Sequence, residues 1–506
     1  MRIKDLLVGA SSLAGSVIAD SVSPIWPEPQ SISLGSASLN LASSFKFTQE
    51  SSSELLNRAI SRYETLLGLP SNGLEGALNS CVITTVDASE DSLDLHVDES
   101  YSLTVGADGQ CRISSQTVWG ALRGMESFTQ LLKRTPEAGN VVMGFAPVSI
   151  TDQARFSHRG VMIDSSRHYL SVDAIRKVID TLPASKFNVL HWHTVDAQSF
   201  PLSLPSVPAL AQGAYNSKMT YTAADLTSIQ EYAQDRGVRV VFEVDVPGHA
   251  ASWTAGYPHI MADCFVKYSY NINDFALNPT LDETYSVLNS VLSDISASTG
   301  TKYVHIGGDE VVYGCWANDT SITSWMGDQG MTTYDQLLGY FVEKADEQIF
   351  ALGATPVHWE EVFSAGIRPD PRTIFQVWTE QSKIQAIVAA EYNVVASPSD
   401  VWYLDIASNT WDVMYAYDPT VGLSAAESKY ILGGETALWG ERVDETNILQ
   451  QMYPRASAVA ERLWSAETVT DQDYAKQRLL IQRCRLVQRG FASAPVEPGY
   501  CPETYV

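Results

Sequence analysis

The 506-residue chain is short of positive charge: 33 Lys and Arg stand against 59 Asp and Glu, a net charge of −26. Nucleic acid and an anionic membrane surface would both repel such a chain, so neither is read as a partner. It has no later run of the ~18 consecutive apolar residues that a membrane-spanning helix requires, so no membrane span is expected. None of its six cysteines sits in a CxxC or another metal-like spacing. Histidine is also sparse, at nine residues, which limits any metal reading to a few positions.

Hydrophobic residues make up 45% of the chain and charged residues 18%, the balance of a globular protein. The length exceeds one ordinary core and suggests two domains. Residues 1–19 read as a secretory signal: Arg2 and Lys4 form a short basic start, an apolar and small-residue run follows, and Val17-Ile18-Ala19 offers a small-x-small cleavage site. In an oxidising compartment an even number of cysteines reads as disulfides. Six allow 15 pairings, of which sequence proximity suggests Cys81–Cys111, Cys264–Cys315 and Cys484–Cys501. The sequon Asn318-Asp319-Thr320 agrees with secretion and makes Asn318 a glycosylation candidate. The expected location is extracellular, or a vacuolar or lysosome-like compartment.

Residues 20–155 mix period-two runs (Leu93/Leu95/Val97 and Leu103/Val105) with helical spacing such as Val118, Leu122, Met125 and Leu132. They read as a small α+β domain. From residue 156 to 506 the rhythm changes. Eight short apolar, β-branched runs are "GVMIDSS", "NVLHWHTVD", "VRVVFEVDVP", "YVHIGGDE", "TPVHWEEV", "TIFQVW", "NVVASPS" and "YILGGETALW". They alternate with amphipathic helices such as Val172–Leu182, Leu226–Arg236 and Tyr334–Ala351, and a C-terminal helix and tail follow. Continuous apolar strands alternating with helices imply a parallel sheet covered on both faces. Their number and spacing fit a (β/α)8 TIM barrel. The alternative, a doubly wound open sheet, would usually carry a Gly-rich phosphate loop after its first strand, and "MIDSSRHYL" is not one.

Barrel active sites lie at the C-terminal ends of the strands. In this sequence those ends gather acids and tryptophans with few lysines, a lining suited to a neutral, hydroxyl-rich ring: aromatic faces pack on its C–H surface and carboxylates accept its hydroxyl protons. That composition points to a sugar. A rival reading takes His191 and His193 of "HWH" as metal ligands, since residues two apart on a strand share a face; it would need His249, His305 and Asp309 to complete the set. His305, at the start of its strand, is expected far from the rim. The reading preferred here has the histidines hydrogen-bonded to carboxylates, with no metal and no cofactor.

Asp309 and Glu310 stand side by side after Gly307 and Gly308. Neighbours on one strand point in opposite directions, so the pair is poorly placed to flank one glycosidic bond as acid and nucleophile. The arrangement suits a sugar whose own 2-acetamido carbonyl is the nucleophile, with one acid protonating the leaving oxygen and the other gripping the acetamido group. The glycines are expected to leave room for substrate, and Asp309 to raise the pKa of Glu310 by like-charge repulsion.

The motifs "HRGVMIDSSRHYL", "HWHTVDAQSFP", "EVDVPGH", "HIGGDEV" and "ALWGE", in this order, resemble those of the β-N-acetylhexosaminidases of glycoside hydrolase family 20. The likeness runs over nearly the whole chain after the signal, including the N-terminal α+β domain, and the cysteine pairing matches secreted eukaryotic members. The resemblance implies that Glu310 is the general acid and then the base. Asp309 would orient the acetamido group and stabilise an oxazolinium-type intermediate, and Tyr403 would donate to the acetamido oxygen. Trp359, Trp378 and Trp439 would wall the pocket, Arg159, Asp405 and Glu441 would bind ring hydroxyls, and Asp196 and His249 would back Glu310. Ala197 departs from relatives that carry a second aspartate after Asp196. The implied partners are oligosaccharides or glycans with terminal β-linked GlcNAc or GalNAc. The other readings are a metal-dependent amidohydrolase or deacetylase, separable by chelators, and a silent sugar-binding protein, separable by turnover. The sequence leaves the oligomeric state open, a homodimer included.

Overall fold

The computed structural model describes residues 22–506 except 72, 91–92, 136–138, 264–274 and 503. The signal reading, residues 1–19, lies outside the described residues. The first described domain is a six-stranded sheet of β1 (Ser31–Gln49), β2 (Leu78–Asp87), β3 (Tyr101–Val105), β4 (Cys111–Thr117), β5 (Leu132–Arg134) and β6 (Val141–Asp152). The strand order is β1-β2-β4-β3-β6-β5. β2 and β4 run parallel with Cys81 opposite Cys111, which sets up the disulfide between them. The helices Glu54–Leu67 and Val118–Gln130 start on side-chain caps from Ser53 and Thr117. The second is buried along its whole length, because it lies between the sheet and the barrel: Arg123 donates to the Gly237 carbonyl and Gln130 to that of Ala184.

The barrel begins at once, with β7 (His158–Asp164) and β8 (Val189–Val195). A two-stranded side sheet, β9 (Leu202–Ser203) and β10 (Tyr221–Thr222), precedes β11 (Arg239–Val244). β12 (Tyr303–His305), β13 (Thr355–Trp359), β14 (Ile374–Val377), β15 (Asn393–Ala396) and β16 (Ile431–Leu438) complete a closed circuit in which every pairing is parallel. These are the eight runs read from the sequence. β7, β8, β11, β14 and β16 are buried at every position, which is why their sequences run apolar rather than alternating. The register puts Asp164 beside His193, His193 beside Glu243 and Glu243 beside His305. One layer of the barrel interior is therefore polar.

Arg159 belongs to the opposite end of the barrel from the site. It is fully buried at the start of β7. It donates to Glu99 at 2.7 Å and to the carbonyls of Lys186 and Phe156 at 2.9 and 2.7 Å. Glu99 also accepts from Arg123 and Asn188. Burial alone would raise Glu99's pKa, but Arg159 and Arg123 hold it down to about 2. The assignment of Arg159 to ring hydroxyls is thus corrected: it is a domain-joining residue.

The chain ends by returning to its beginning. From the helix Gln472–Gln488, Arg485 donates to the Pro24 carbonyl, and Arg489 pairs with Glu126. Trp464 and Val506 lie in the hydrophobic core of the N-terminal domain. Cys484 bonds to Cys501. Cys315 is disulfide-bonded, while Cys264 lies outside the described residues. Among the described residues no helix is long and apolar enough to cross a membrane.

Candidate active site

The C-terminal ends of the barrel strands surround a cleft of about 590 Å³. Arg167 enters it after β7, His249 after β11, Asp309 and Glu310 after β12, Trp359 from β13 and Trp378 after β14. Tyr403 and Asp405 follow β15, and Trp439 and Glu441 follow β16. Of the residues given catalytic or sugar-binding roles by the resemblance, only Arg159 and Asp196 do not line the cleft, and Asp196 lies directly behind it.

The aromatic groups make a box. Trp359 and Trp439 stand 6.1 Å apart, Trp378 stacks on Tyr403 at 6.4 Å, and Tyr403 and Trp439 are 6.3 Å apart. Each of the first three indoles is fixed from behind. Trp359 donates to Glu243 at 2.9 Å and Trp378 to Glu361 at 2.9 Å, and the Arg167 guanidinium lies 4.8 Å over the ring of Trp439. Burial, then the neighbouring Glu360 and Asp309, push the Glu361 carboxyl up to about 9. Burial also pushes Tyr403 well above the usual phenol range, so its hydroxyl keeps its proton and remains a donor.

Asp309 and Glu310 are not on the strand. β12 stops at His305, and Gly307, Gly308 and Glu310 all take positive φ, at 69°, 94° and 47°. The turn changes the alternation expected of a strand: both carboxylates approach Nε2 of His249, Asp309 at 3.8 Å and Glu310 at 3.5 Å. The glycines make room for protein rather than substrate. A Cβ on Gly307 would fall 1.8 Å from Oδ1 of Asp245, and one on Gly308 would fall 2.8 Å from Cγ2 of Val362; left-handed backbone and close approach together demand glycine.

The two acids sit in unlike surroundings. Asp309 is buried and Glu310 exposed. Burial, with Glu243 and Glu310 nearby, raises the Asp309 pKa against the pull of His249. The expected rise falls on Asp309 rather than on Glu310, whose pKa is lowered, first by its hydrogen bond to His249. The reason is His249. Against the cost of burial, Asp196, Asp245 and Asp309 hold its imidazole protonated well above the usual range, so the group nearest Glu310 is a cation. Asp245 is pushed well above the carboxylate range by burial and by the nearby Asp309.

Behind the pair, Asp196 accepts from His249 at 3.2 Å and from His193 at 2.9 Å. Arg167 reaches Asp196 at 2.7 Å and Asp164 at 3.0 Å. These contacts hold Arg167 in the cleft wall, and sequence reasoning passed it over for Arg159. The signal was present: of the two arginines in "HRGVMIDSSRHYL", only Arg167 follows the strand's C-terminal end, where barrel chemistry lies. Ile406, Ala407 and Arg442 also line the cleft and carry no motif that would have announced them.

Among the described residues, three-residue clusters of His and carboxylate occur here, among them His191, Glu243 and His305, and Asp196, Asp245 and His249. The expectation that His305 starts its strand is corrected, since it is the last residue of the three-residue β12; it stands beside Glu243, at 3.1 Å, and does not line the cleft. Some of these nitrogens already have partners. The nitrogens of His193 are both engaged with carboxylates, at 2.6 and 2.9 Å, and His305 Nδ1 accepts from the Gly307 amide.

A barrel with acids and tryptophans crowding its C-terminal rim is the architecture of a glycoside hydrolase. The family model described as "Glycosyl hydrolase family 20, catalytic domain" matches residues 156–467, and one described as "beta-acetyl hexosaminidase like" matches residues 25–131. The chain is 35% identical to beta-hexosaminidase subunit alpha of Rattus norvegicus, covering 98% of each. It is 36% identical to beta-hexosaminidase 1 of Arabidopsis thaliana, over 97% of this chain and 94% of that one. Among solved structures, the chitobiase of Flavobacterium johnsoniae superposes with a TM-score of 0.81 at 28% identity, over 92% of this chain and 73% of that one. The β-N-acetylhexosaminidase of Streptomyces coelicolor gives 0.77 at 26%, over 94% and 98%. The chain belongs to glycosyl hydrolase family 20.

Proposed function

We propose that this exo-acting β-N-acetylhexosaminidase removes a terminal β-linked GlcNAc or GalNAc with retention, using the substrate's acetamido carbonyl as nucleophile. The observation that carries the reading is the unequal pair of acids. Asp309 is buried in the wall of the cleft, and its Oδ1 has no hydrogen-bond partner, which suits an acceptor for the acetamido N–H. Glu310 is exposed in the cleft, which suits a group that protonates the leaving oxygen and then activates water. Tyr403 is a fitting donor to the acetamido oxygen as it attacks. As positive charge spreads onto the acetamido nitrogen, the Asp309 carboxylate becomes its counter-ion where water screens poorly. Arg167, Asp405 and Glu441 line the same cleft, which supports them as the groups that bind ring hydroxyls.

Chitin fragments, glycans and glycolipids all present such termini. Secretion, or delivery to a lysosome-like compartment, is supported by the disulfides. Glycosylation at Asn318 is supported by its exposed position, and pairing of two copies is read by light scattering. The testing experiment is hydrolysis of an aryl β-N-acetylglucosaminide beside the matching β-glucoside. Turnover of the first and not the second is expected; comparable turnover of both overturns the acetamido role.

A further inference from the structure

Beneath the cleft, the polar layer of the barrel converges on Glu243, which is fully buried. One carboxylate oxygen, Oε1, accepts the indole N–H of Trp359 at 2.9 Å. The other, Oε2, meets Nδ1 of His193 at 2.6 Å. Nε2 of His193 meets Asp196 at 2.9 Å, Asp196 meets Nδ1 of His249 at 3.2 Å, and Nε2 of His249 stands 3.5 Å from Glu310. Carboxylate and imidazole thus alternate from Glu243 to Glu310 with no other group between them.

We propose that Glu243 is a positioning residue that couples the two halves of the active site: Oε1 fixes the Trp359 wall of the acetamido pocket, while Oε2 acts through His193, Asp196 and His249 on the acid Glu310. The inference rests on the reading of Glu310 as the acid. An imidazole set between two carboxylates donates to both only when it carries both protons, so the relay alternates in charge: Glu243 negative, His193 positive, Asp196 negative, His249 positive. Other groups bear on it too. His191 lies 2.9 Å from Glu243, though off the hydrogen-bond line, and His305 lies 3.1 Å away. Asp164 faces His193, Asp245 and Asp309 face His249, and Arg167 faces Asp196 and Glu310. The contacts that join Glu243 to Glu310 run through His193, Asp196 and His249.

The two arms are separable. In Glu243→Gln the amide oxygen still accepts from Trp359 and the NH2 donates to Nδ1 of His193, which then needs only one proton. Losing the His193 cation makes the potential at Asp196, His249 and Glu310 more negative, because that cation is nearer to them than the lost carboxylate. Glu310 should hold its proton to higher pH. The test compares wild type, Glu243→Gln, His193→Gln and Trp359→Phe on aryl β-N-acetylglucosaminides of graded leaving ability, with pH profiles of kcat/KM and affinity for a thiazoline mimic of the cyclised intermediate. Glu243→Gln should fold, move the basic limb upward in pH and lower kcat by up to about 10²-fold, with thiazoline affinity within a few fold of wild type. His193→Gln should also move the limb. Trp359→Phe should lose thiazoline affinity and leave the limb in place. Superposable pH profiles in wild type and Glu243→Gln, or a limb that moves equally in Trp359→Phe, overturn the proposal. Glu310→Gln is the separate control: if its loss of rate does not depend on the leaving group, the role of Glu310 itself fails, whatever Glu243 does.

Discussion

At the residue scale, the proposed chemistry rests on the unlike surroundings of Asp309 and Glu310, which share His249 as a neighbour. Asp309→Ala removes a group whose interaction strengthens as the acetamido nitrogen becomes positive, so kcat should fall about 10²–10³-fold, roughly 2.7–4 kcal/mol, with a smaller change in KM. Steady-state kinetics checks this; a loss confined to KM would contradict it. The two arginines of the first barrel motif should behave oppositely. Arg167→Gln should depress kcat/KM with a modest change in Tm. Arg159→Gln leaves Glu99 buried with one cation fewer and should cost on the order of 3 kcal/mol of stability, measured by denaturant melts, while the kinetic constants of the folded fraction stay close to wild type. The pH dependence follows from sign. In the proposed mechanism Glu310 acts first as an acid, and its hydrogen bond to His249 lowers its pKa in the free enzyme, so kcat/KM should fall as pH rises, with its limb below the ordinary carboxylate range. The limb in kcat should lie higher, since a bound sugar strips water from Glu310. A kcat/KM that climbs from pH 5 to 8 would contradict both. Adjacency in sequence suggested a raised Glu310; the cation that reverses this comes from the loop after β11, and a one-dimensional reading of "GGDE" cannot see it.

At the element scale, the eight barrel strands were legible because burial on both faces writes itself as continuous apolar runs, and the motif residues were legible because the chemistry sits at strand ends. The turn after β12 was not. Nothing in "HIGGDE" distinguishes a strand running to Glu310 from one that stops at His305 and turns through Gly307 and Gly308. The structural reason is Asp245, whose carboxylate fills the space beside Gly307. Gly307→Ala should therefore displace either Asp245 or the Asp309 turn and reduce kcat/KM by about 10²-fold. Gly300→Ala is the matched control. Gly300 also takes positive φ but has nothing within 4 Å of the added methyl, so it should cost about 1–2 kcal/mol of stability and leave kinetics unchanged. Equal kinetic effects of the two substitutions would refute this account of the turn.

At the scale of the whole molecule, the N-terminal sheet, the barrel and the returning C-terminal segment share cores and buried ion pairs, so the barrel floor is braced while its rim is left to bind sugar. Only part of this was legible: helical spacing from Val118 to Leu132 marked a helix, but not one buried between two domains, and no local pattern foretells that Val506 joins the hydrophobic core of the N-terminal domain. In the proposed mechanism, what that scaffold serves is an acetamido group turned against its own anomeric carbon. The most direct measurement of this claim is the rate of hydrolysis of aryl β-N-acylglucosaminides whose acetyl group carries zero, one, two or three fluorines. Each fluorine withdraws electrons from the carbonyl oxygen while the ring, the leaving group and Glu310 stay the same. The account predicts that kcat/KM falls steeply and monotonically along the series. A flat series, or a covalent adduct trapped on a protein carboxylate, would contradict it.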